Sequence, residues 1–244
     1  MNFCFGNSHV GVFSGSNIPV PVWPDSSVIV NGVLMGAHDH LPWFRTFNLG
    51  AVTAYQSMKH IQTIKGILTK IPEFNKEKDT LILVFGEVDI RVHVYKRAIL
   101  NHCTTPSIVK EVAVRYFRAV STLLDEGFNV AMYGCIPTAV RADMELLRPA
   151  FGTVQQRNEA SALFDDLIKQ FCIDYNLPCI SIFKELLFQD GMSDIRYMDT
   201  FYMGEGNGLH LITNVLPLLL WKCRDVGLIP FNAVISQYEN KNYT

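Results

Sequence analysis

Thr80-Leu81-Ile82-Leu83-Val84-Phe85, followed at once by Gly86-Glu87-Val88-Asp89-Ile90-Arg91-Val92-His93, decides how this chain folds. A continuous apolar run of strand length, closed by glycine, suits a central parallel strand buried on both faces. On its N-terminal side, residues 51–71 carry a helical period that stops before Pro72. On its C-terminal side, residues 107–126 read as a long helix with Gly127 as C-cap. Outward from there come a strand at 128–134 and a helix from Thr153, with Gln156 in capping-box position, to about Asn176. A strand at 179–183 and a last helix over about 211–226 follow. Toward the N-terminus, residues 2–6 read as the first strand. Residues 28–35 read as another, after Pro19, Pro21 and Pro24. Strand and helix in alternation predict an α/β fold: three layers, α/β/α, around a central parallel sheet of about five strands. Reactive groups in such sheets lie beyond the carboxyl ends of the strands, which singles out the residues after Phe5, Phe85 and Tyr133.

The 244 residues are read as one domain, 1–244, with a β-rich excursion over 10–47. Hydrophobic residues at 49% against 18% charged give enough apolar surface for a core and exclude a disordered chain. Lys+Arg number 21 and Asp+Glu 23, so a generally basic nucleic-acid binder is excluded. None of the six cysteines forms C-x-x-C, which predicts reduced, buried thiols rather than a zinc knuckle or a redox motif. The opening M-N-F-C-F-G-N-S-H has no basic region and no long apolar stretch, and Val215 to Trp221 is too short to span a bilayer. A soluble, cytoplasmic protein with no membrane span is the expectation.

Three stretches carry candidate chemistry: Gly6-Asn7-Ser8-His9 after the first strand, the Gly86–His93 segment, and Gly204-Glu205-Gly206-Asn207-Gly208-Leu209-His210-Leu211 before the last helix. Asn48-Leu49-Gly50 lies between the first two, ahead of a helix. In this order they resemble the four blocks of the SGNH (GDSL-like) hydrolases: G-D-S, a glycine before a helix, G-x-N-D, and D-x-x-H. The resemblance spans nearly the whole chain and implies a flavodoxin-like strand order. It implies Ser8 as nucleophile, His210 as base, and the backbone amides of Ser8 and Gly50 as oxyanion donors. A serine just past a strand presents its hydroxyl to the crevice, and a histidine from the far end of the chain takes its proton.

Three positions depart from the family pattern. Asn7 replaces the aspartate beside the serine. Val88 stands where an oxyanion-binding asparagine belongs and cannot donate a hydrogen bond. Asn207 replaces the acid that orients the histidine, and a neutral amide cannot stabilise imidazolium. The G-E-V-D-x-R-x-H form of the third block resembles a divergent branch associated with glycan synthesis and modification.

Two enzymatic readings follow. In the first, Ser8 and His210 cleave or transfer an acyl group on a carbohydrate ester. In the second, a glycosyltransferase on the same scaffold uses Asp89 or Glu87 as base on a sugar hydroxyl, and Arg91 holds the phosphates of a nucleotide-sugar donor. A glycan-binding domain without activity is the third reading. Candidate substrate contacts are Asn7, Glu87, Arg91, His93 and Asn207; Asp89 and Arg91 read equally as an ion pair bracing the loop. No cofactor and no metal is expected: His38-Asp39-His40 has a ligand-like spacing but no third partner in sequence. Gly204–Gly208 reads as a phosphate-cradling loop or as a flexible loop delivering His210. Pro137-Thr138 with Arg141 and Arg148 reads as a site wall or a solvated connection. Trp23, Trp43 and Phe44 read as sugar-stacking rings or as packing.

Overall fold

A computed structural model of the chain describes residues 1–25, 27–30, 33–36, 38–138, 149–199 and 209–233. Strands β1 (Asn2–Gly6), β4 (Phe44–Asn48), β5 (Thr80–Val84), β6 (Asn129–Tyr133) and β7 (Cys179–Ile180) form one sheet, and every neighbouring pair is parallel. Their order, β4-β1-β5-β6-β7, is the flavodoxin-like order. The helices are α1 (Ser57–Leu68), α2 (Tyr95–Leu100), α3 (Thr105–Asp125), α4 (Val154–Asp174) and α5 (Leu216–Asp225).

Alternation along the strands builds two cores. Leu81 and Leu83 of β5 face Ile64 of α1, Tyr116 of α3 and Phe164 of α4 in one cluster. Ile82 and Val84 face the opposite way, into a cluster with Phe13 and with Leu216, Leu219 and Leu220 of α5. Each such side chain contributes about 1.5–3 kcal/mol by leaving water, so a strand apolar on both faces stabilises both layers. The architecture is the three-layer α/β/α sandwich that the apolar run predicts.

Element boundaries differ in instructive ways. The stretch 28–35, read as one strand, is two: β2 (Ser27–Val30) pairs antiparallel with β3 (Val33–Gly36). Between them stands Asn31-Gly32, a dipeptide suited to a two-residue hairpin, whose significance the surrounding apolar residues concealed. Helix 107–126 begins earlier, because Thr104 caps it and Pro106 fits its first turn. Thr153 and Gln156 form the reciprocal capping box, with Thr153 N–H donating to Gln156 Oε1 at 2.9 Å. The strand expected over 179–183 is only Cys179–Ile180, at the sheet edge. The last helix is preceded by a 3-10 turn, Thr213–Val215, and starts at Leu216. Among the described residues, no helix is long and apolar enough to cross a membrane.

Two glycines fix the ends of the central strands. A Cβ on Gly6 would collide with the Val84 carbonyl, so β1 and β5 approach closely only without one. Gly86 has φ +115°, and a Cβ there would strike Phe164. The chain can therefore leave both strands sharply at the carboxyl edge of the sheet.

Candidate active site

Past Gly6, the side chain of Asn7 accepts the His9 amide at 3.0 Å and caps a 3-10 helix, Ser8–Ser14. The turn carries Ser8 beyond the end of β1. From the other end of the chain, Met198 and Leu211 form an antiparallel bridge. Ile212 N–H donates to the Tyr197 carbonyl (3.0 Å) and Asp199 N–H to the His210 carbonyl (2.9 Å). This short ladder sets Asp199 and His210 side by side. Leu209 N–H donates to Asp199 Oδ1 at 3.0 Å, which steadies the carboxylate. His210 Nε2 lies 2.8 Å from Ser8 Oγ, and His210 Nδ1 lies 3.4 Å from Asp199 Oδ2. The second contact is longer than a tight hydrogen bond, as is common before substrate draws such a site together. A hydroxyl, an imidazole and a carboxylate thus stand in line, in the arrangement of a serine hydrolase triad.

No protein-family model matches the sequence, and no curated protein matches it. Solved structures do. A member of the lipolytic G-D-S-L family from Veillonella parvula is 14% identical, with a TM-score of 0.51; the match covers 93% of this chain and 97% of that one. A candidate acylhydrolase from Bacteroides fragilis is 12% identical, with a TM-score of 0.57 and coverage of 93% and 88%. A GDSL-like lipase from Bacteroides thetaiotaomicron is 9% identical, with a TM-score of 0.53 and coverage of 97% and 87%. The chain has the fold of the GDSL-like (SGNH) hydrolases.

The carboxylate found beside His210 is that of Asp199, a residue the motif spacing did not single out. The family spacing points to position 207, which lies outside the described residues, as do all of Gly204–Gly208. Asp199, eleven residues before His210, stands beside the imidazole instead. Nothing in the motif spacing marks it, because the two segments meet through a single isolated bridge between Met198 and Leu211.

In the structure the third-block residues Glu87, Asp89 and Arg91 bond within the protein. Asp89 is completely buried, and its carboxylate accepts Ala54 N–H (2.6 Å) and Tyr55 N–H (3.1 Å). Burial pushes its carboxyl up to about 7 despite those donors. It clamps the 3-10 turn Ala54–Gln56 ahead of α1 and faces no crevice. Glu87 is buried between Arg91 and His9: Arg91 Nε donates to Glu87 Oε1 at 2.5 Å, and His9 Nε2 lies 3.1 Å from Glu87 Oε2. Burial opposes the charge of Glu87, but His9 and Arg91 outweigh it and hold the carboxyl down at about 2. Arg91 also donates to the Pro149 carbonyl at 2.9 Å, so its guanidinium is engaged within the protein and is not presented to a donor phosphate. His93 lies on the exposed side of the π-helical segment Asp89–Val94. Its imidazole is pushed down by burial and by the Lys96, Arg97 and Arg91 cations.

His9 links this cluster to the triad. Its ring centroid is 5.1 Å from that of His210, tilted by 40°. Burial lowers its pKa, against the pull of Glu87. Asn7, expected at the substrate, is buried and acts as the helix cap. The Gly50 amide, expected in the oxyanion hole, donates to Asn48 Oδ1 at 2.9 Å. Ser8 N–H is the first amide of its 3-10 helix.

Asp39, between His38 and His40, accepts from Gly36 N–H, Thr46 N–H and Thr46 Oγ1 and ties the hairpin to β4. Among the described residues no cluster of three His, Cys, Asp or Glu side chains is placed to hold a metal ion. Thr138 is buried, and its Oγ1 accepts from Arg157 Nε at 2.8 Å; Arg141 and Arg148 lie outside the described residues. Phe44 is in the core, while Trp23 and Trp43 pack against the two clusters.

Proposed function

We propose that this chain is a serine esterase acting on small carboxylic esters, with an O-acylated carbohydrate as the physiological class of substrate. The 2.8 Å contact between Ser8 Oγ and His210 Nε2 carries the reading. Ser8 Oγ attacks the acyl carbon while His210 Nε2 takes its proton. Asp199 holds the imidazole in the tautomer that presents Nε2 and stabilises the imidazolium. His210 then returns the proton to the departing alkoxide, and water repeats the sequence on the acyl-enzyme. In this reading Ser8 N–H, the first amide of its 3-10 helix, receives the oxyanion. With Val88 unable to donate and the Gly50 amide turned to Asn48, the hole is poorer than three donors would make it, and each missing donor costs about 10²–10³ in rate. A slow esterase is the expectation. The carbohydrate class rests on the resemblance of the third block alone. The sugar-transfer reading loses Asp89 and Arg91 to internal bonds.

The test is hydrolysis of an aryl acetate together with covalent labelling by an organophosphonate. Wild type should turn over the ester and take one label on Ser8. Ser8→Ala should lose at least ~10³-fold in kcat and all labelling. Ester cleavage unchanged in Ser8→Ala would exclude this mechanism.

A further inference from the structure

Far from Ser8, at the open edge of the sheet, two thiols meet. Cys172 is on the last turn of α4 and Cys179 opens β7. Between them the Leu177 amide donates to the Cys172 carbonyl at 2.8 Å, so the chain doubles back and the side chains interact directly. Both line a cleft of about 850 Å³ together with Lys169, Lys184 and Lys222. Lys169 pairs with Asp165 (2.5 Å) and Asp166 (3.6 Å), and Lys222 with Asp225 (3.4 Å). Cys179 is half-buried and Cys172 buried. Cys4, Cys135 and Cys223 are buried too, and burial raises the pKa of each thiol. Cys103 is partly exposed like Cys179 but does not line this cleft.

This arrangement has the parts a reactive cysteine needs: partial access, a cationic rim and a second thiol in reach. The hydrogen bond from Cys172 lowers the Cys179 pKa against the effects of burial and of the Asp165 carboxylate, with smaller help from Lys169 and Lys222. The same bond pushes the Cys172 thiol up, as the donor of the pair.

We propose that Cys179 and Cys172 form an oxidisable dithiol, with Cys179 attacking a small hydroperoxide and Cys172 resolving the product into a disulfide. The Cys179 thiolate attacks the terminal peroxide oxygen and the O–O bond breaks. With hydrogen peroxide, hydroxide leaves and becomes water by taking up the proton that the Cys179 thiol released on ionising, and Cys179 becomes a sulfenic acid. The Cys172 sulfur then displaces the sulfenic oxygen, which departs as water with the Cys172 proton. Two thiols are oxidised to one disulfide and one peroxide is reduced to two waters. The site stands apart from the esterase chemistry, since β5 and β6 separate β7 from β1 by about 14 Å across the sheet.

Trypsin cuts after Lys169 and Lys184, so one peptide, residues 170–184, carries both cysteines. After brief exposure of the full chain to hydrogen peroxide, this peptide should be lighter by two hydrogens and resistant to alkylation, while the Cys103 peptide still alkylates. Without peroxide, Cys179 should alkylate about tenfold faster than Cys103. Cys172→Ser should trap a sulfenic acid on Cys179 that a cyclic 1,3-dione captures, and Cys179→Ser should leave Cys172 reduced. Oxidation of Cys103 at the same dose or sooner, or a 170–184 peptide that keeps both thiols, overturns the proposal. The wild-type measurements decide it whether or not the variants fold.

Discussion

Asp199→Asn should lower kcat on an aryl ester by about 10³–10⁴-fold with little change in KM, because the imidazole would lose both its orienting acceptor and the charge that stabilises imidazolium. Asn207→Ala should stay within about threefold of wild type, since Asp199 already occupies the position beside His210 Nδ1; steady-state kinetics of the two variants side by side distinguish the assignments. Glu87 carries a prediction of a different kind. Its carboxyl titrates near 2 in the folded chain against an ordinary 4.5, so the unfolded chain takes up this proton first. The stabilisation is complete above pH 4.5 and is lost as pH falls toward 2, amounting to about 3 kcal/mol. Urea midpoints across that range should fall more steeply for wild type than for Glu87→Gln, which has no proton to gain. Ser8 and His210 were legible as residue types at the ends of a strand and ahead of a helix. The roles of Glu87, Asp89 and Arg91 were not, because a charged residue after a strand looks the same in sequence whether it faces a crevice or a neighbouring amide. Only the inward turn of the segment 89–94, which buries Asp89, separates the two.

At the scale of elements, capping explains which boundaries the sequence disclosed. Thr153 with Gln156 announces the start of α4, and the structure has both reciprocal bonds. The 3-10 turn leading into α1 is capped locally by Thr53, which accepts from Gln56 N–H, but it also draws support from thirty-odd residues downstream. Asp89, on the π-helical segment, supplies the acceptor for the amides of Ala54 and Tyr55. Asp89→Ala should therefore destabilise the fold by about 2–4 kcal/mol, as expected when two buried amides lose a carboxylate partner. Chemical denaturation measures this, and the chemistry at Ser8 should survive in the fraction that remains folded. The acid beside His210 has a similar explanation. Asp199 reaches His210 through a two-strand ladder, and spacing within a single motif does not reveal pairing between two segments.

Across the whole molecule, both cores are built on the same strands, so neither layer has a sheet of its own. Ile64→Ala beneath α1 and Leu219→Ala beneath α5 should each cost about 2–5 kcal/mol. Each should also shift a single urea transition to lower concentration without splitting it; two separate transitions would mean that the layers unfold independently. The same economy governs the catalytic edge. The acid and the base are fastened where residues 197–199 meet 210–212, at the foot of the intervening stretch and not within it. Segments anchored in this way can be lengthened, shortened or exchanged by evolution or by graft, and the proton-transfer apparatus keeps its alignment. Changes of length or sequence between these two anchors should leave Asp199 beside His210.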